Sequence, residues 1–496
     1  MKITASHLYS YDTCPHRVWR DAHDDQSLKA EPNEFVQLLW EKGTQYEKEV
    51  IEGLKGEREI LDLSKVHVGQ RAAATLKAFS EKVPLIYHGR LEVDDLVGEP
   101  DLLELQPSGE YAAVDIKSGM ALQGGNDFED GKPKRHYALQ LALYTDALRR
   151  LGFATHYTGK ILDSSGSIVE YRLDEPKGKK SPVTWWEDYE DALMIARNIM
   201  LNKIQTKPAL GAPCKLCVWY EDCKNTCIKD DLLSLIPGLG RSKQDSLEAL
   251  AGTVHELAEI DPEDHIDTKG KVDLPGIGET LLRKFQHRAE LLSSGTKEME
   301  VKEPFTLPAR DIELYFDIET DPTQDLVYLH GVVERRNGDT EGAKFHSFLA
   351  KGVTRSDERK AWEEFWEYIR ALNGDFAVYY YSSYERTQFR VLREKYPDVV
   401  SEDELEYFFD NEASVDLLKI VQKNTEWPTY NHSVKTLAQH LGFNWRDKNP
   451  SGAASIQWFN EWCKDQSDEK MQRILDYNED DCIAMMVLKD ELVKHC

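Results

Sequence analysis

The sequence predicts an α/β protein built from several domains. Its 496 residues exceed what one hydrophobic core usually organises. A content of 41% hydrophobic and 30% charged residues is typical of folded soluble proteins. Helical and strand patterns alternate in two regions, which are separated by a helical segment that carries a repeated phrase. We therefore predict an α/β domain over residues 1–228, a helical module over 229–294, a linker over 295–310 and a second α/β domain over 311–496.

The individual elements follow from the period of the apolar residues. In the first region, this period predicts helices over 33–54, 68–79, 135–151 and 184–203, and strands over 91–97, 102–105, 111–116 and 155–161. In the last region, three successive strands are predicted over 312–318, 327–334 and 343–349, and a fourth over 378–381. Both regions therefore combine strands and helices.

Charge and hydropathy restrict the kinds of partner that the protein can bind. The chain has 62 Lys and Arg against 89 Asp and Glu, a formal charge of -27, which excludes binding of a polyanion by bulk charge alone. Clustered acids can instead hold divalent cations. The first residues lack the apolar core of a signal peptide, and no apolar run reaches the roughly 18 residues of a membrane span. We therefore predict a cytoplasmic protein with no membrane partner.

Two carboxylates and a lysine in the first region are placed so that they can converge. Asp101 lies at a strand end, and Asp115 and Lys117 share one face of the next strand because side chains alternate with a period of two. Hydrolysis of a phosphodiester needs carboxylates that hold Mg2+ or Mn2+ and a positive group that stabilises the developing charge. The sequence therefore predicts a metal-dependent hydrolytic site here.

The wider motif set resembles the RecB-like nucleases of the PD-(D/E)xK superfamily, which have a restriction-endonuclease fold. The resemblance rests on Gly43-x3-Glu47, Glu99-Pro100-Asp101, Asp115-Ile116-Lys117 and Gln140-x3-Tyr144. It implies Asp101, Asp115 and Glu47 as metal ligands, Lys117 as the catalytic lysine, and Gln140 and Tyr144 as contacts to DNA or to the attacking water. Many members of the family have His where this chain has Glu47.

Four of the eight cysteines crowd between residues 214 and 227, where Cys214, Cys217 and Cys223 form a C-x2-C-x5-C pattern. Four thiolates suit either zinc or an iron-sulfur cluster, and Cys227 or the distant Cys14 could supply the fourth. The Cys14-Pro15 pair together with the later triplet resembles the iron-sulfur RecB-like nucleases. This resemblance implies a [4Fe-4S] cluster on Cys14, Cys214, Cys217 and Cys223 that ties the first helix to the end of the domain.

The helical segment repeats the phrase Pro-Gly-x-Gly at residues 237–240 and 275–278. Glycines permit a tight turn and leave backbone NH groups uncovered at a helix start, where a phosphate can be bound. The pair resembles tandem helix-hairpin-helix modules, which implies binding of the DNA backbone. The DNA-binding residues so implied are Gly238, Gly240, Lys243, Gly276, Gly278 and Lys284. A helical spacer with Pro-Gly turns is the alternative.

A second group of acids lies in the last region. Asp317 and Glu319 share one face of a strand, Glu385 follows a later strand, and Tyr477 and Asp481 lie one helical turn apart. Four acids brought together would hold two metal ions, while a tyrosine positions the attacking water.

This pattern resembles the DEDD 3'-to-5' exonucleases of the ribonuclease H-like fold, in the subgroup with a tyrosine. The resemblance implies Asp317, Glu319, Glu385 and Asp481 as ligands and Tyr477 as the residue that positions the nucleophile. Glu385 stands where many relatives have Asp. We interpret Asp416 as a structural acid near the site.

Taken together, these features predict a metal-dependent DNA nuclease with two active sites that acts on single-stranded or frayed DNA ends in DNA repair, processing or defence. An RNA-directed nuclease, or a DNA-binding scaffold with one silent site, is the alternative. The chain has no G-x4-G-K-[ST] phosphate loop, so unwinding of DNA would need a separate helicase.

Overall fold

The computed structural model describes residues 1–124, 131–178, 181–410, 412–448 and 450–496. These form two compact units. The first comprises residues 1–32, 36–208 and 213–222, and the second comprises 33–35, 209–212 and 223–496. Across the described ranges, no helix is both long enough and apolar enough to cross a lipid bilayer.

The first unit combines six helices with eleven short strands in its described part. The helices are α1 (Ala5–Thr13), α2 (Pro15–His23), α3 (Glu34–Glu57), α4 (Val68–Ser80), α5 (Arg135–Arg150) and α6 (Trp185–Met200). The strands are β1 (Ile3–Thr4), β2 (Leu61–Asp62), β3 (Leu85–Tyr87), β4 (Leu91–Val93), β5 (Leu96–Gly98), β6 (Leu102–Leu105), β7 (Tyr111–Ile116), β8 (Leu122–Gln123), β9 (Lys132–Pro133), β10 (Thr158–Leu162) and β11 (Ile168–Arg172).

A mixed six-stranded sheet in the order β11-β10-β7-β6-β3-β2 is the centre of this unit. The central strand β7 is buried along its whole length, and the apolar residues of α5 pack in the same core. The single strand predicted over 91–97 is instead the hairpin of β4 and β5. Asp94 adopts a left-handed conformation with φ of 53° and reverses the chain there.

The second unit contains the remaining elements. Its helices are α7 (Tyr220–Lys229), α8 (Arg241–Leu247), α9 (Val254–Glu259), α10 (Glu279–Ser293), α11 (Arg355–Ala371), α12 (Tyr384–Lys395), α13 (Glu402–Asp410), α14 (Leu417–Asn424), α15 (Val434–His440), α16 (Gly452–Asp465) and α17 (Asp468–Val493). Its strands are β12 (Glu300–Val301), β13 (Ile312–Asp321), β14 (Leu326–Arg336), β15 (Lys344–Leu349), β16 (Phe376–Tyr380), β17 (Ser414–Asp416) and β18 (Thr425–Glu426).

A five-stranded sheet in the order β15-β14-β13-β16-β17 is buried on both faces. On one face, Leu314 and Phe316 of β13 lie in the cluster that contains the aromatic residues of α11. On the other face, Tyr315 lies in the cluster that contains Met485 of α17. Because strand side chains alternate, Asp317 and Glu319 share the face of Tyr315 and point toward α17.

The helical segment predicted as a separate module packs in the same compact unit as this sheet. The guanidinium of Arg288 on α10 donates two hydrogen bonds to the Glu426 carboxylate, at 2.9 and 2.8 Å, and both side chains are buried. The buried ion pair of Arg288 with Glu426 is costly to break, because loss of one partner would leave an uncompensated charge. Within the predicted linker, Glu300 and Val301 pair with β18.

The two Pro-Gly phrases adopt the same local structure. Gly238 and Gly276 have φ values of 78° and 66°, in the left-handed region that favours glycine. Gly240 and Gly278 are the N-cap residues of α8 and α10. The sequence repeat is therefore also a structural repeat.

His330 of β14 is fully buried in an aromatic core. Its ring centroid lies 5.5 Å from that of Trp362 and 5.4 Å from those of Phe365 and Phe389. Neither ring nitrogen has a hydrogen-bond partner among the described residues. Burial lowers the pKa of His330 from 6.5 to about 3, so the imidazole is neutral in the folded protein.

This buried imidazole predicts a loss of stability in mild acid. Below pH 6.5 the unfolded chain binds a proton at His330 that the folded chain does not, so the free energy of unfolding falls as pH decreases. The loss should reach about 2 kcal/mol at pH 5. We expect His330→Phe to remove this part of the pH dependence in urea unfolding followed by tryptophan fluorescence.

The matched control is His255→Gln, since the His255 side chain is 70% exposed. This variant should keep the pH dependence of the wild type. Equal pH dependence in His330→Phe and the wild type would contradict the prediction.

Candidate functional site

The first acidic site forms around β6 and β7 of the first unit. Leu102 pairs with Val114 in this antiparallel ladder, so Asp101 lies beside Asp115. The backbone NH of Ile116 donates to Asp101 Oδ2 at 2.6 Å. Lys117 Nζ lies 2.9 Å from Asp115 Oδ2. The structure thus brings together the two carboxylates and the lysine that the sequence predicted.

Glu47 reaches the same region from α3. Tyr87 OH donates to Glu47 Oε1 at 2.8 Å, and His88 Nε2 lies 3.2 Å from the same oxygen. The backbone NH of His88 donates to the carbonyl oxygen of Asp101 at 3.0 Å. His88 therefore connects Glu47 with the loop that carries Asp101.

Burial and charge shape the protonation of this site. Burial, reinforced by the neighbouring Asp115, raises the pKa of Asp101 to about 7. Burial favours the neutral form of Lys117, but the charges of Asp115 and Asp101 outweigh it and raise the lysine pKa. The hydrogen bond from His88 lowers the pKa of Glu47. The lysine thus stays positive beside carboxylates that repel each other.

Gln140 and Tyr144 lie on α5, which packs against β7. Tyr144 is only 5% exposed, and a Cβ atom on Gly98 would lie 2.7 Å from its ring. Burial raises the pKa of Tyr144 far above its usual value. Gln140 Oε1 is buried without a hydrogen-bond partner among the described residues. Tyr144 is therefore part of the interior next to the carboxylates, whereas Gln140 is half-buried.

The second acidic site lies between β13 and α17. Asp317, Glu319 and Asp481 each offer a carboxylate oxygen, and these three oxygens lie within 4.8 Å of one another. The strand supplies the first two on one face, and the helix supplies the third. Oxygen donors at this spacing suit Mg2+ or Mn2+.

Neighbouring side chains fix the orientation of these carboxylates. Asn478 Nδ2 donates to Asp317 Oδ2 at 2.8 Å, and Trp445 Nε1 donates to Asp481 Oδ1 at 2.7 Å. A Cβ atom on Gly331, the register partner of Asp317, would lie 1.6 Å from Asn478 Oδ1. Only glycine at position 331 therefore lets Asn478 reach the acid.

The three acids are strongly coupled through burial and repulsion. Burial, followed by the charges of Asp481 and Glu319, raises the pKa of Asp317 well above its usual value. Burial and the charge of Asp481 raise the pKa of Glu319 to about 8. Burial also raises the pKa of Asp481. A bound divalent cation would relieve this repulsion, so the donor set fits a metal ion.

A lysine sits beside the predicted tyrosine. Lys435 Nζ donates to the Tyr477 hydroxyl at 2.6 Å and lies 4.0 Å from Asp481 Oδ1. Burial and the nearby acids raise the pKa of Tyr477 well above its usual value, so its hydroxyl keeps its proton. Lys435 thus holds Tyr477 next to the acids.

Glu385 lies in the first turn of α12, outside the group of three. It is 5% exposed, and burial raises its pKa to about 8. Its charge contributes to the raised pKa of Asp317, which places it in the electrostatic neighbourhood of the site. Asp416 instead accepts hydrogen bonds from the backbone NH groups of Ser382 and Leu418 and caps α14.

The carboxylates open into a cavity of about 300 Å³. Its walls are formed by Asp317, Ile318, Glu319, Thr320, Pro322, Tyr384, Gly452, Ile456, Tyr477 and Asp481. The Tyr384 hydroxyl lies 2.7 Å from Thr320 Oγ1 at the rim. A cavity of this size can take one small ligand or the end of a chain.

The predicted cysteine ligands lie at the two ends of the first domain sequence. Cys14 separates α1 from α2, Cys214 lies in the 3-10 helix Ala212–Leu216, and Cys217 and Cys223 follow. Cys227 is fully buried in the core of the helical segment, with its sulfur 3.8 Å from Ser234 Oγ.

The predicted DNA-binding cations differ in their surroundings. Lys243 Nζ donates to the carbonyl oxygen of Gly276 and so bridges the two Pro-Gly turns. Ser246 Oγ adds a 2.8 Å hydrogen bond to the Pro275 carbonyl. Lys284 is exposed. The role of these turns in binding DNA stays a prediction.

Two parts of the chain match family models built from known proteins. Residues 6–224 match the family model of the PD-(D/E)XK nuclease superfamily, and residues 314–493 match that of the RNase_H superfamily. The chain contains one domain of each superfamily. These matches confirm the two superfamilies that the motifs resemble, and residues 225–313 lie outside both.

Other comparisons add no functional information. None of the curated proteins matches the sequence at a significant level. A solved structure titled "Crystal structure of SSO0001" is 16% identical and covers 36% of this chain and 94% of its own, with a TM-score of 0.18. A TM-score this low supports no conclusion about the fold.

Sequence reasoning missed several residues of the two nuclease-superfamily domains. Lys435 and Trp445 lie far along the chain from every quoted motif, and only folding brings them to Tyr477 and Asp481. Asn478 is next to Tyr477 in the motif, but its contact with Asp317 depends on the glycine in the neighbouring strand. His88 carries no spacing signal that links it to Glu47.

Because the acids repel one another, removal of one carboxylate should stabilise the metal-free protein but weaken its stabilisation by a metal ion. We expect Asp317→Asn to raise the melting temperature of the metal-free second unit, because one repelling carboxylate is lost. The rise should be roughly 2 to 4 °C for each kcal/mol added to the free energy of unfolding. The same variant should lose the stabilisation that Mn2+ gives. Scanning fluorimetry with and without Mn2+, in an Asp101→Ala background that removes the first site, measures both effects.

Asp416→Ala is the matched control for this prediction. It removes a buried acid that caps α14 and should cost about 1 kcal/mol, while stabilisation by Mn2+ remains. A full Mn2+ effect in Asp317→Asn would show that this carboxylate is not a ligand.

Proposed function

We propose that the protein is a metal-dependent deoxyribonuclease with two independent active sites, which acts on single-stranded or frayed DNA ends in repair, processing or defence. The observation that carries this proposal is the group of three carboxylates of Asp317, Glu319 and Asp481, the last two buried, beside a tyrosine held by a lysine. DNA is proposed as the substrate because the motifs of the first site resemble those of RecB-like nucleases. A separate helicase would supply unwound strands.

For the second site we propose removal of nucleotides from a 3' end. Asp317, Glu319, Glu385 and Asp481 would hold Mg2+ or Mn2+, which supplies an activated water and stabilises charge on the phosphate. Tyr477 keeps its proton and hydrogen-bonds to Asp481, where its hydroxyl would lie beside the attacking water and could orient it. Lys435 holds the tyrosine in place at 2.6 Å. The cavity of about 300 Å³ favours a strand end over the middle of a duplex.

For the first site we propose phosphodiester cleavage that depends on a lysine. Glu47, Asp101 and Asp115 would hold the metal ion, and Lys117 stays protonated beside them. A positive group at this place can stabilise the charge that develops on the phosphate. This chemistry differs from that of the second site, which uses a tyrosine.

We further propose the [4Fe-4S] cluster on Cys14, Cys214, Cys217 and Cys223. The superfamily match from residue 6 to 224 includes these four cysteines and ends before Cys227. Cys227 lies in an apolar core, which suits a packing role better than a ligand role. The segment after Cys217 contacts the α2 region, because Trp219 Nε1 donates to Asp21 at 3.0 Å and Ala30 NH donates to the Val218 carbonyl at 2.9 Å.

The two sites should be separable by single substitutions. Asp317→Ala should abolish stepwise release of mononucleotides from a 3' end and leave cleavage by the first site intact. Lys117→Ala should lower cleavage by the first site about 10²- to 10³-fold and leave the 3' exonuclease intact. End-labelled single-stranded DNA and RNA, each with a free or a blocked 3' hydroxyl, distinguish the two activities and the preferred nucleic acid.

Lys160→Ala is the matched control, since this lysine lies in the same sheet but pairs with Glu104 at 2.8 Å. It should keep both activities. Loss of all cleavage in either single variant would show that the domains share one active site or that one is a scaffold. Faster cleavage of RNA than of DNA would show that RNA is the preferred substrate and would contradict the proposal of DNA.

The cluster proposal predicts a brown protein with about four Fe per chain after anaerobic purification. Cys14→Ser should bleach it and destabilise the first domain, whereas Cys227→Ser should leave the iron content unchanged. Iron analysis and the visible absorption spectrum measure this. A colourless protein with one zinc that survives Cys14→Ser would refute the cluster.

A further inference from the structure

A row of three aromatic rings leads away from Lys117 in the first unit. The ring of Tyr9 on α1 meets that of His136 edge-on, with centroids 5.0 Å apart. His136 and Tyr137, the next residue of α5, meet with centroids 4.4 Å apart. Lys117 Nζ lies 5.6 Å from the Tyr137 centroid, so the row begins at the acidic site.

Positive charge lies at the Tyr137 end of the row, whereas the carboxylate of Asp12 lies 3.8 Å from His136 Nδ1. Lys134, the N-cap residue of α5, places its Nζ 5.3 Å from the Tyr137 centroid. Tyr137 therefore lies close to two ammonium groups, one of which belongs to the acidic site. Cations next to aromatic rings form the combination that binds the phosphates and bases of a single strand.

The row is open to solvent at its far end. Tyr9 is 40% exposed, whereas its neighbour Leu8 is fully buried in the core and anchors α1. The His136 side chain is 28% exposed. Tyr144, further along α5, is 5% exposed. Leu8 thus holds α1 in the core, and the Tyr9 ring, which contacts α5 through His136, keeps an exposed surface that a ligand can reach.

We propose that Tyr9, His136 and Lys134 bind a single-stranded segment next to the phosphate cleaved at the first site, with an unpaired base stacked on Tyr9 and a phosphate on Lys134. This inference rests on the proposed nuclease function and specifies how that site selects its substrate. An aromatic face accepts any base that is not already stacked within a duplex. The first site would therefore prefer single strands whatever their sequence.

The test uses the full chain in an Asp317→Ala background, which silences the second site. Fluorescence anisotropy with a labelled, 3'-blocked single strand, and with Ca2+ in place of Mg2+, measures binding without cleavage. Tyr9→Ala should raise the Kd about tenfold, the cost of roughly one base stack. Tyr9→Phe, which keeps the ring, should bind like the parent. Lys134→Ala should reduce the salt slope of binding by roughly 0.7, as expected for one phosphate contact on a single strand.

Cleavage in Mg2+ gives a second measurement. Tyr9→Ala should raise KM for the single strand and leave kcat within a factor of about two, because the acids and Lys117 are intact. Binding of a blunt duplex should not change. Tyr157→Ala is the matched control. The Tyr157 ring centroid lies 3.7 Å from the Arg149 guanidinium, and Arg149 is about 20 Å from His136 along α5. This variant should bind and cleave like the parent.

The outcomes separate the inference from the function on which it rests. Unchanged Kd and KM in Tyr9→Ala, with cleavage retained, would overturn the stacking role and leave the nuclease function standing. Equal losses in Tyr9→Phe and Tyr9→Ala would overturn it too, because the ring is then irrelevant. Tyr9-dependent binding without any cleavage by the parent would support the binding role and refute the nuclease function. A parent that binds no single strand would refute both.

Discussion

Repulsion between carboxylates that are buried side by side is the constraint on which both candidate sites depend. Burial alone disfavours a charged carboxylate, and a second charge nearby disfavours it further. The pKa of Asp101 rises to about 7 and that of Glu319 to about 8 for these reasons. A protein keeps such groups only if something else compensates them, and a divalent cation is the strongest compensation available.

The two units hold their acids together in different ways. In the first, Lys117 lies directly against Asp115, so the positive charge is built into the cluster. In the second, Lys435 lies 4.0 Å from Asp481 and contacts the tyrosine instead. Hydrogen bonds from Asn478 and Trp445 orient the acids there. The first arrangement suits a site in which a lysine takes part in the chemistry, and the second suits a site that relies on metal ions.

The helical segment packs in the same compact unit as the second acidic site. Arg288 binds Glu426 and also donates to the Pro237 carbonyl at 2.6 Å, so one buried guanidinium joins the first Pro-Gly turn to β18. Residues 426–435 then lead from this ion pair to Lys435, which contacts Tyr477. The helical segment and the second acidic site are thus joined by one continuous stretch of chain.

The sequence by itself determined the strand-borne acids and the order of the elements around them. Strand alternation places Asp317 with Glu319 and Asp115 with Lys117, because a period of two is a local property of the backbone. Local pattern also located the helices α3, α4, α5 and α6 of the first unit, although it joined β4 and β5 into one strand across the turn at Asp94.

Only the tertiary structure decided which distant side chains complete each site. The contacts of His88 with Glu47 and of Lys435 with Tyr477 cross long stretches of chain. The approach of Asn478 to Asp317 depends on the missing side chain of Gly331 in a neighbouring strand. Such contacts are set by packing between elements, and packing leaves no periodic signal in the sequence.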